Sequence, residues 1–292
     1  MYDIIIIGAG PAGLTAAIYA LRGNKKVLVL EEKSYGGQII NASNIENYPG
    51  IKEISGFDYA TTLYDQVINF GGEIKYESVT HITDNKEVET SSNTYKAKAI
   101  IIANGVERKV LGLPREQELV GKGISYCATC DGNFFRGKDV AVVGGGNTAL
   151  EDAIYLSNIA SKVYLIHRRD SFRGEDRYVS ELRSKENVEL VLNTNITKLN
   201  GENILDSVEL DNGNTIKVNG LFIAIGQTPK NERFENVVEL NEDGYIKTID
   251  GVHTSTANIY VAGDTREKDL RQLTTAVSDG SIAATVAIKE MN

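Results

Sequence analysis

The sequence predicts an α/β fold of two three-layer units, the second inserted into the first. Two observations predict it. A short apolar run, a glycine-rich turn and an alanine-bearing stretch occur in that order near residue 8 and again near residue 144. Break signals at Leu111-Gly112-Leu113-Pro114 and Gly226-Gln227-Thr228-Pro229 bracket the second copy.

The first copy opens the chain. Ile4 to Ile7 reads as a buried parallel strand, because it is apolar at every position. Gly8-Ala9-Gly10-Pro11-Ala12-Gly13 follows, then a helix to about Arg22 and a strand at Val27-Leu28-Val29-Leu30 ending on Glu31. Gly8 suits the tight turn, Gly10 a close pyrophosphate, and Gly13 helix packing. The helix N-terminus offers oriented N–H groups to phosphate, and Glu31 stands where an acid meets a ribose hydroxyl. This unit is predicted to be Rossmann-like and to bind a dinucleotide.

The second copy has Val140 to Val143 as its strand, with Gly144, Gly146 and Ala149 at the small positions. Its helix is expected to reach about Asn158, and its next strand is Val163 to Ile166. Glu31 lies 23 residues after Gly8, and His167 lies 23 residues after Gly144. Here the carboxylate is replaced by His167-Arg168-Arg169, with Arg173 one turn on. A carboxylate repels a 2′-phosphate, whereas guanidinium forks pair with it. The economical reading is bound FAD in the first unit and transient NADPH in the second. A solvated basic face is the alternative for the arginines.

Cys127 and Cys130 are the only cysteines and flank Ala128-Thr129. His81, His167 and His253 lack the spacing of a zinc site, so no metal is expected. A close dithiol ahead of a nucleotide-binding turn reads as a redox-active pair. Asp131 is the adjacent titratable group and suits a proton relay, although a turn or cap residue before Gly132 is the plainer reading.

Composition excludes several classes. A formal net charge of -9 disfavours nucleic acid as a partner. No apolar run approaches the ~20 residues of a membrane span. Met1-Tyr2-Asp3 runs straight into the first strand, without a signal-peptide pattern, and cysteine usage suits a reducing cytoplasm. Ile259 to Asp264 is another strand-to-glycine turn, followed by a small-residue helix from about Leu273. Residues 1–110 with 228–292 are therefore expected to bind FAD. Residues 111–227 are expected to bind NADPH and carry the cysteine pair.

These motifs, in this order, resemble the low-molecular-weight, bacterial-type thioredoxin reductases. The resemblance runs nearly the whole length. It rests on the Gly8 and Gly144 motifs, Gly36-Gly37-Gln38, Glu46-Asn47-Tyr48-Pro49-Gly50, Cys127 to Asp131, His167 to Arg173, Ala262-Gly263-Asp264 and Arg271-Gln272. It implies that Cys127 and Cys130 form the redox disulfide, with Cys130 nearer the flavin and Asp131 exchanging the proton. It places Asp264 on the ribityl chain and Arg271 and Gln272 near the flavin ring, with Gly37, Gln38 and Asn47 in the FAD set. His167, Arg168, Arg169 and Arg173 would hold the 2′-phosphate, and Asn147 and Thr148 join the NADPH set. It further implies a homodimer, a thioredoxin or thioredoxin-like partner, and rotation of the NADPH domain about Gly112 and Gly226. Two departures are Asn104, where threonine is usual, and Gly174, where alanine is usual. The alternative function is a flavin thioredoxin reductase driven by ferredoxin. A dinucleotide-binding redox sensor would leave Cys130-Asp131 idle.

Overall fold

In the computed structural model the described residues are 1–42 and 44–291. The chain forms two compact units, Met1–Glu107 with Thr228–Asn292, and Arg108–Gln227.

The first unit is built on a seven-stranded sheet. Glu73–Tyr76, Val27–Glu31, Tyr2–Ile7 and Thr94–Ile102 are consecutive parallel neighbours. Ile259–Val261 pairs in parallel with the end of Thr94–Ile102, and Glu87–Thr90 pairs antiparallel with its beginning. The all-isoleucine run of the first strand has a direct cause, since both sheet faces are covered. Ile4 and Ile6 join a core with Leu14, Ala16, Ala283 and Ala284, while Ile5 and Ile7 join one with Phe234, Val238 and Ile246. The helices Pro11–Arg22 and Leu273–Glu290 share the first core. They approach closely because Gly280 lies against the Ala12 carbonyl, where any side chain would collide.

The second unit carries a five-stranded parallel sheet in the order Val188–Val191, Lys162–Ile166, Asp139–Val143, Gly220–Ile223, Ile124–Ser125. The strand Asp139–Val143 alternates in the same way. Val140 and Val142 pack on Ala149, Leu150, Ala153 and Leu156 of the helix Asn147–Ser157, and Ala141 and Val143 face Leu199, Val208 and Leu221. That second face is closed by an antiparallel sheet of Ile196–Asn200, Ser207–Leu210 and Thr215–Lys217. The sequence patterns above do not anticipate this sheet.

Two positions fix the cysteine segment. Gly220 leaves room for the Phe135 ring, which meets Phe222 edge-on at 5.3 Å. A Cβ on Gly132 would come within 2.9 Å of Tyr155 and 3.1 Å of Ile159, so the segment lies directly on the end of the Asn147–Ser157 helix.

Candidate active site

Cys127 and Cys130 are joined in a disulfide, with their Cα atoms 5.3 Å apart. Cys127 caps the one-turn helix Ala128–Asp131, which follows the strand Ile124–Ser125. Ser125, 4% exposed, organises the turn. Its hydroxyl donates to Asp131 Oδ2 at 2.6 Å and accepts the Cys127 N–H at 3.0 Å. The Asp131 N–H returns to the Cys127 carbonyl at 3.1 Å. Burial pushes the Asp131 carboxyl above the usual carboxylate range, opposed by the Ser125 hydrogen bond and the Arg108 charge. A carboxyl raised in this way can hold or release a proton beside two sulfurs. Cys127 is half-buried and Cys130 exposed.

Behind this turn lies a second layer, which the sequence patterns do not reveal. Glu116, 3% exposed, accepts the Tyr126 hydroxyl at 2.8 Å and the N–H groups of Leu111, Gly112 and Leu113 at 3.0, 2.8 and 3.3 Å. The Arg108 guanidinium lies 5.1 Å from the centre of the Tyr126 ring. A sequence signal exists for Ser125 and Tyr126, which immediately precede the cysteines. None exists for Glu116, whose role depends on a loop folding over its side chain.

The same unit builds a glycine-lined cradle at a helix N-terminus. Gly144 is obligatory, because a Cβ there would strike the Ala224 carbonyl and come within 2.7 Å of Ala149. Gly146 caps the helix Asn147–Ser157 without a side-chain bond and has open space above it. The helix therefore presents its first N–H groups unobstructed. His167, 7% exposed, lies over Gly145 and stacks on Phe172 with 5.2 Å between ring centres. Burial lowers its basicity, and Arg168, Arg169 and Arg173 lower it further. A neutral His167 leaves the positive charge to these three exposed arginines. Among the described residues none of the three is in an ion pair. Thr148 is exposed at the helix start. Asn147 serves the structure directly, since its side chain accepts the Glu175 N–H at 2.8 Å and donates to Glu175 Oε1 at 3.3 Å. Gly174 packs closely here, since a Cβ would meet the end of the Leu150 side chain and lie 2.9 Å from Asn147 Oδ1.

In the first unit the expected residues gather at the carboxyl ends of the parallel strands, the usual ligand edge of such sheets. Gly8 backs onto the Ala103 carbonyl and Gly13 onto the Gly8 carbonyl. Gly10 lies against Gly37, whose added Cβ would be 3.3 Å from Gly10 Cα. The Gly36 N–H donates to the Ala9 carbonyl at 2.8 Å, which ties the two glycine loops together. Glu31 accepts the Ala9 N–H at 2.7 Å and the Lys33 N–H at 2.8 Å. Gln38 Nε2 donates to the Val106 carbonyl at 2.5 Å, and Asn47 Nδ2 to Gln272 Oε1 at 3.3 Å. Gln272 caps the helix Leu273–Glu290 in a capping box with Thr275. Arg271 donates to the Asp264 carbonyl at 3.3 Å and lies 4.1 Å from the Tyr245 ring centre. Asp264 Oδ1 is buried without a hydrogen bond, although Lys268 Nζ lies 3.3 Å away. A buried carboxylate oxygen with an unmet hydrogen bond, beside a glycine cradle, suits a polyhydroxylated chain such as ribityl. The residues present therefore fit FAD in this unit and NADPH in the other.

Comparison with known proteins agrees. The family model described as pyridine nucleotide-disulphide oxidoreductase matches residues 2–280. A thioredoxin reductase of Bacillus subtilis is 44% identical over 97% of this chain and 93% of its own length. The crystal structure of a thioredoxin reductase from Streptococcus pyogenes is 39% identical, with a TM-score of 0.94 over 100% of this chain and 99% of that one. A ferredoxin-flavin thioredoxin reductase from Clostridium acetobutylicum is 30% identical, with a TM-score of 0.53 over 99% of this chain and 98% of that one. With its disulfide, its two glycine cradles and these matches, the chain belongs to the pyridine nucleotide-disulphide oxidoreductase family.

Proposed function

We propose that this protein is an NADPH-dependent reductase of the disulfide in thioredoxin or a thioredoxin-like protein, with FAD as its bound flavin. One observation carries the reading. The Cys127–Cys130 disulfide, with Asp131 beside it, is held in the same unit as a glycine cradle flanked by Arg168, Arg169 and Arg173. When bound, FAD supplies two-electron chemistry linking a hydride donor to a disulfide. Gly8, Gly10, Gly13, Glu31, Gly37, Gln38, Asn47, Asp264, Arg271 and Gln272 would hold it. Gly144, Gly146 and the N–H groups at Asn147 and Thr148 would receive the NADPH pyrophosphate, with His167 and the arginines at the 2′-phosphate. Asp131 exchanges a proton with the thiol pair, and Ser125 keeps its carboxyl in place.

The reading includes a homodimer in a reducing cytoplasm, with residues 1–110 and 228–292 as the FAD domain and 111–227 as the NADPH domain. Among the described residues no helix is long and apolar enough to cross a membrane.

The deciding experiment is an anaerobic titration of the oxidised flavoprotein, first with NADPH and then with NADH. Flavin bleaching at far lower NADPH than NADH supports the reading. A flavin that neither nucleotide bleaches overturns NADPH as donor. Reduced ferredoxin, the donor in the alternative, is then the next addition.

A further inference from the structure

We propose that Arg108 is a positioning residue for the thiol chemistry: its guanidinium, seated on the ring of Tyr126, the residue before Cys127, supplies a fixed positive charge that acts on the Cys127–Asp131 turn. The inference rests on reading that pair as the redox centre.

The placement is built rather than incidental. Arg108 begins the second unit, and the segment after it is fastened by Glu116 through three backbone N–H groups. Glu116 also takes the hydroxyl of Tyr126, the residue before Cys127. One carboxylate thereby ties the segment after Arg108 to Tyr126, which leads into the disulfide. The Tyr126 ring, anchored at its hydroxyl, offers its face to the guanidinium at 5.1 Å, a cation–π seat. On the next residue back, Ser125 fastens both Asp131 and the Cys127 N–H.

A guanidinium stays charged at every working pH. It favours the ionised form of any acid nearby. Two kinds of acid are within this assembly, the Asp131 carboxyl and the thiols released when the disulfide opens. The Arg108 charge already opposes the effect of burial on Asp131. From the other side, the helix Asn147–Ser157 brings Tyr155 and Leu156 against Gly132 and carries Glu151 and Asp152 one turn earlier. Ser125 faces Asp131 from the strand. Asp131 is therefore set by its burial, by Ser125 and by Arg108.

The test reads the thiols directly. The full-length flavoprotein is reduced with dithiothreitol, which breaks the Cys127–Cys130 bond to give two thiols and closes to its own cyclic disulfide. After anaerobic desalting, iodoacetamide alkylates the thiolate and releases iodide. The rate is followed from about pH 5 to about pH 9 in wild type, Arg108→Gln and Arg108→Lys. Removing the charge should raise the midpoint of the alkylation profile by about half a pH unit, a roughly threefold slower reaction on its acid side. Arg108→Lys should restore most of it. Tyr126→Leu should reproduce part of the shift, because the seat is lost while the charge remains. A merely structural role would change folding or flavin content without moving the midpoint. Coincident midpoints for wild type and Arg108→Gln, or equal midpoints for the Gln and Lys variants, overturn the proposal. No nicotinamide and no partner protein enter the assay, so a wrong donor or acceptor leaves its result intact. Turnover of Cys127→Ser tests the redox reading separately.

Discussion

Glu31 and His167 hold equivalent places in the two units, and each contacts the residue after the first glycine of its own turn. Glu31 reaches the Ala9 N–H at 2.7 Å, whereas the His167 ring lies over Gly145 where a Cβ would stand. The difference explains why one turn tolerates alanine and the other has three consecutive glycines. Gly145→Ala should displace the imidazole, at a cost of about 1–3 kcal/mol typical of overpacking. Urea unfolding and NADPH titration would read it. Unchanged stability with unchanged NADPH affinity would mean that His167 does not hold this place.

The three arginines around the cradle are exposed. Among the described residues none has a carboxylate partner. Such side chains do little for folding, so Arg168→Ala with Arg169→Ala should change stability by no more than about 0.5 kcal/mol. The Michaelis constant for NADPH should rise about tenfold or more, since each lost fork removes a charge-assisted pair to the 2′-phosphate. NADH, which lacks that phosphate, should be nearly unaffected. Equal losses for both nucleotides would reject the 2′-phosphate role.

Asp131 combines a structural cost with the proton exchange proposed for it. Burial raises its folded-state proton affinity above that of the unfolded chain. Stability is therefore greatest while both states are protonated, and falls as pH rises through the folded value. Asp131→Asn should be the more stable protein at neutral pH, and the gap should close under acid conditions. Its turnover should fall by roughly a hundredfold or more, the usual scale of a lost general acid or base. A variant that gains stability but keeps full turnover would leave Asp131 as a turn residue.

The legible parts of this protein are those written in local pattern. Ile4 to Ile7 and Val140 to Val143 announce buried strands because both faces of each sheet are covered. The glycine turns announce themselves because only glycine fits against the Ala103 and Ala224 carbonyls. The helix Asp176–Ser184 and the antiparallel sheet do not. The helix buries only Leu182, and the sheet strands alternate charged Lys198 and Glu209 with single buried residues such as Leu199 and Val208. At the site, the cysteines and Asp131 are readable from spacing. Ser125 and Tyr126 are signalled only by their place just before the cysteines, and Glu116 and Arg108 are not readable, because their roles come from loops brought together by folding.

Asp152 shows the same limit and yields the sharpest pH prediction. It lies on the helix Asn147–Ser157, and none of the sequence patterns singles it out. In the structure it is half-buried, and among the described residues its carboxylate has no hydrogen-bond or ion-pair partner. Burial, followed by the neighbouring Glu151 charge, pushes it up to about 7. The folded state thus holds a proton that the unfolded chain releases near its ordinary value of 3.8. Stability from this group is complete below that ordinary value, declines as pH rises, and is lost once pH passes about 7. Asp152→Asn should be more stable than wild type above that point, by up to a few kcal/mol, and the advantage should shrink steadily toward about pH 4. Urea unfolding of both proteins at alkaline, neutral and acid pH measures the gap. A constant difference across that range would mean that Asp152 is ionised throughout, with water reaching its carboxylate.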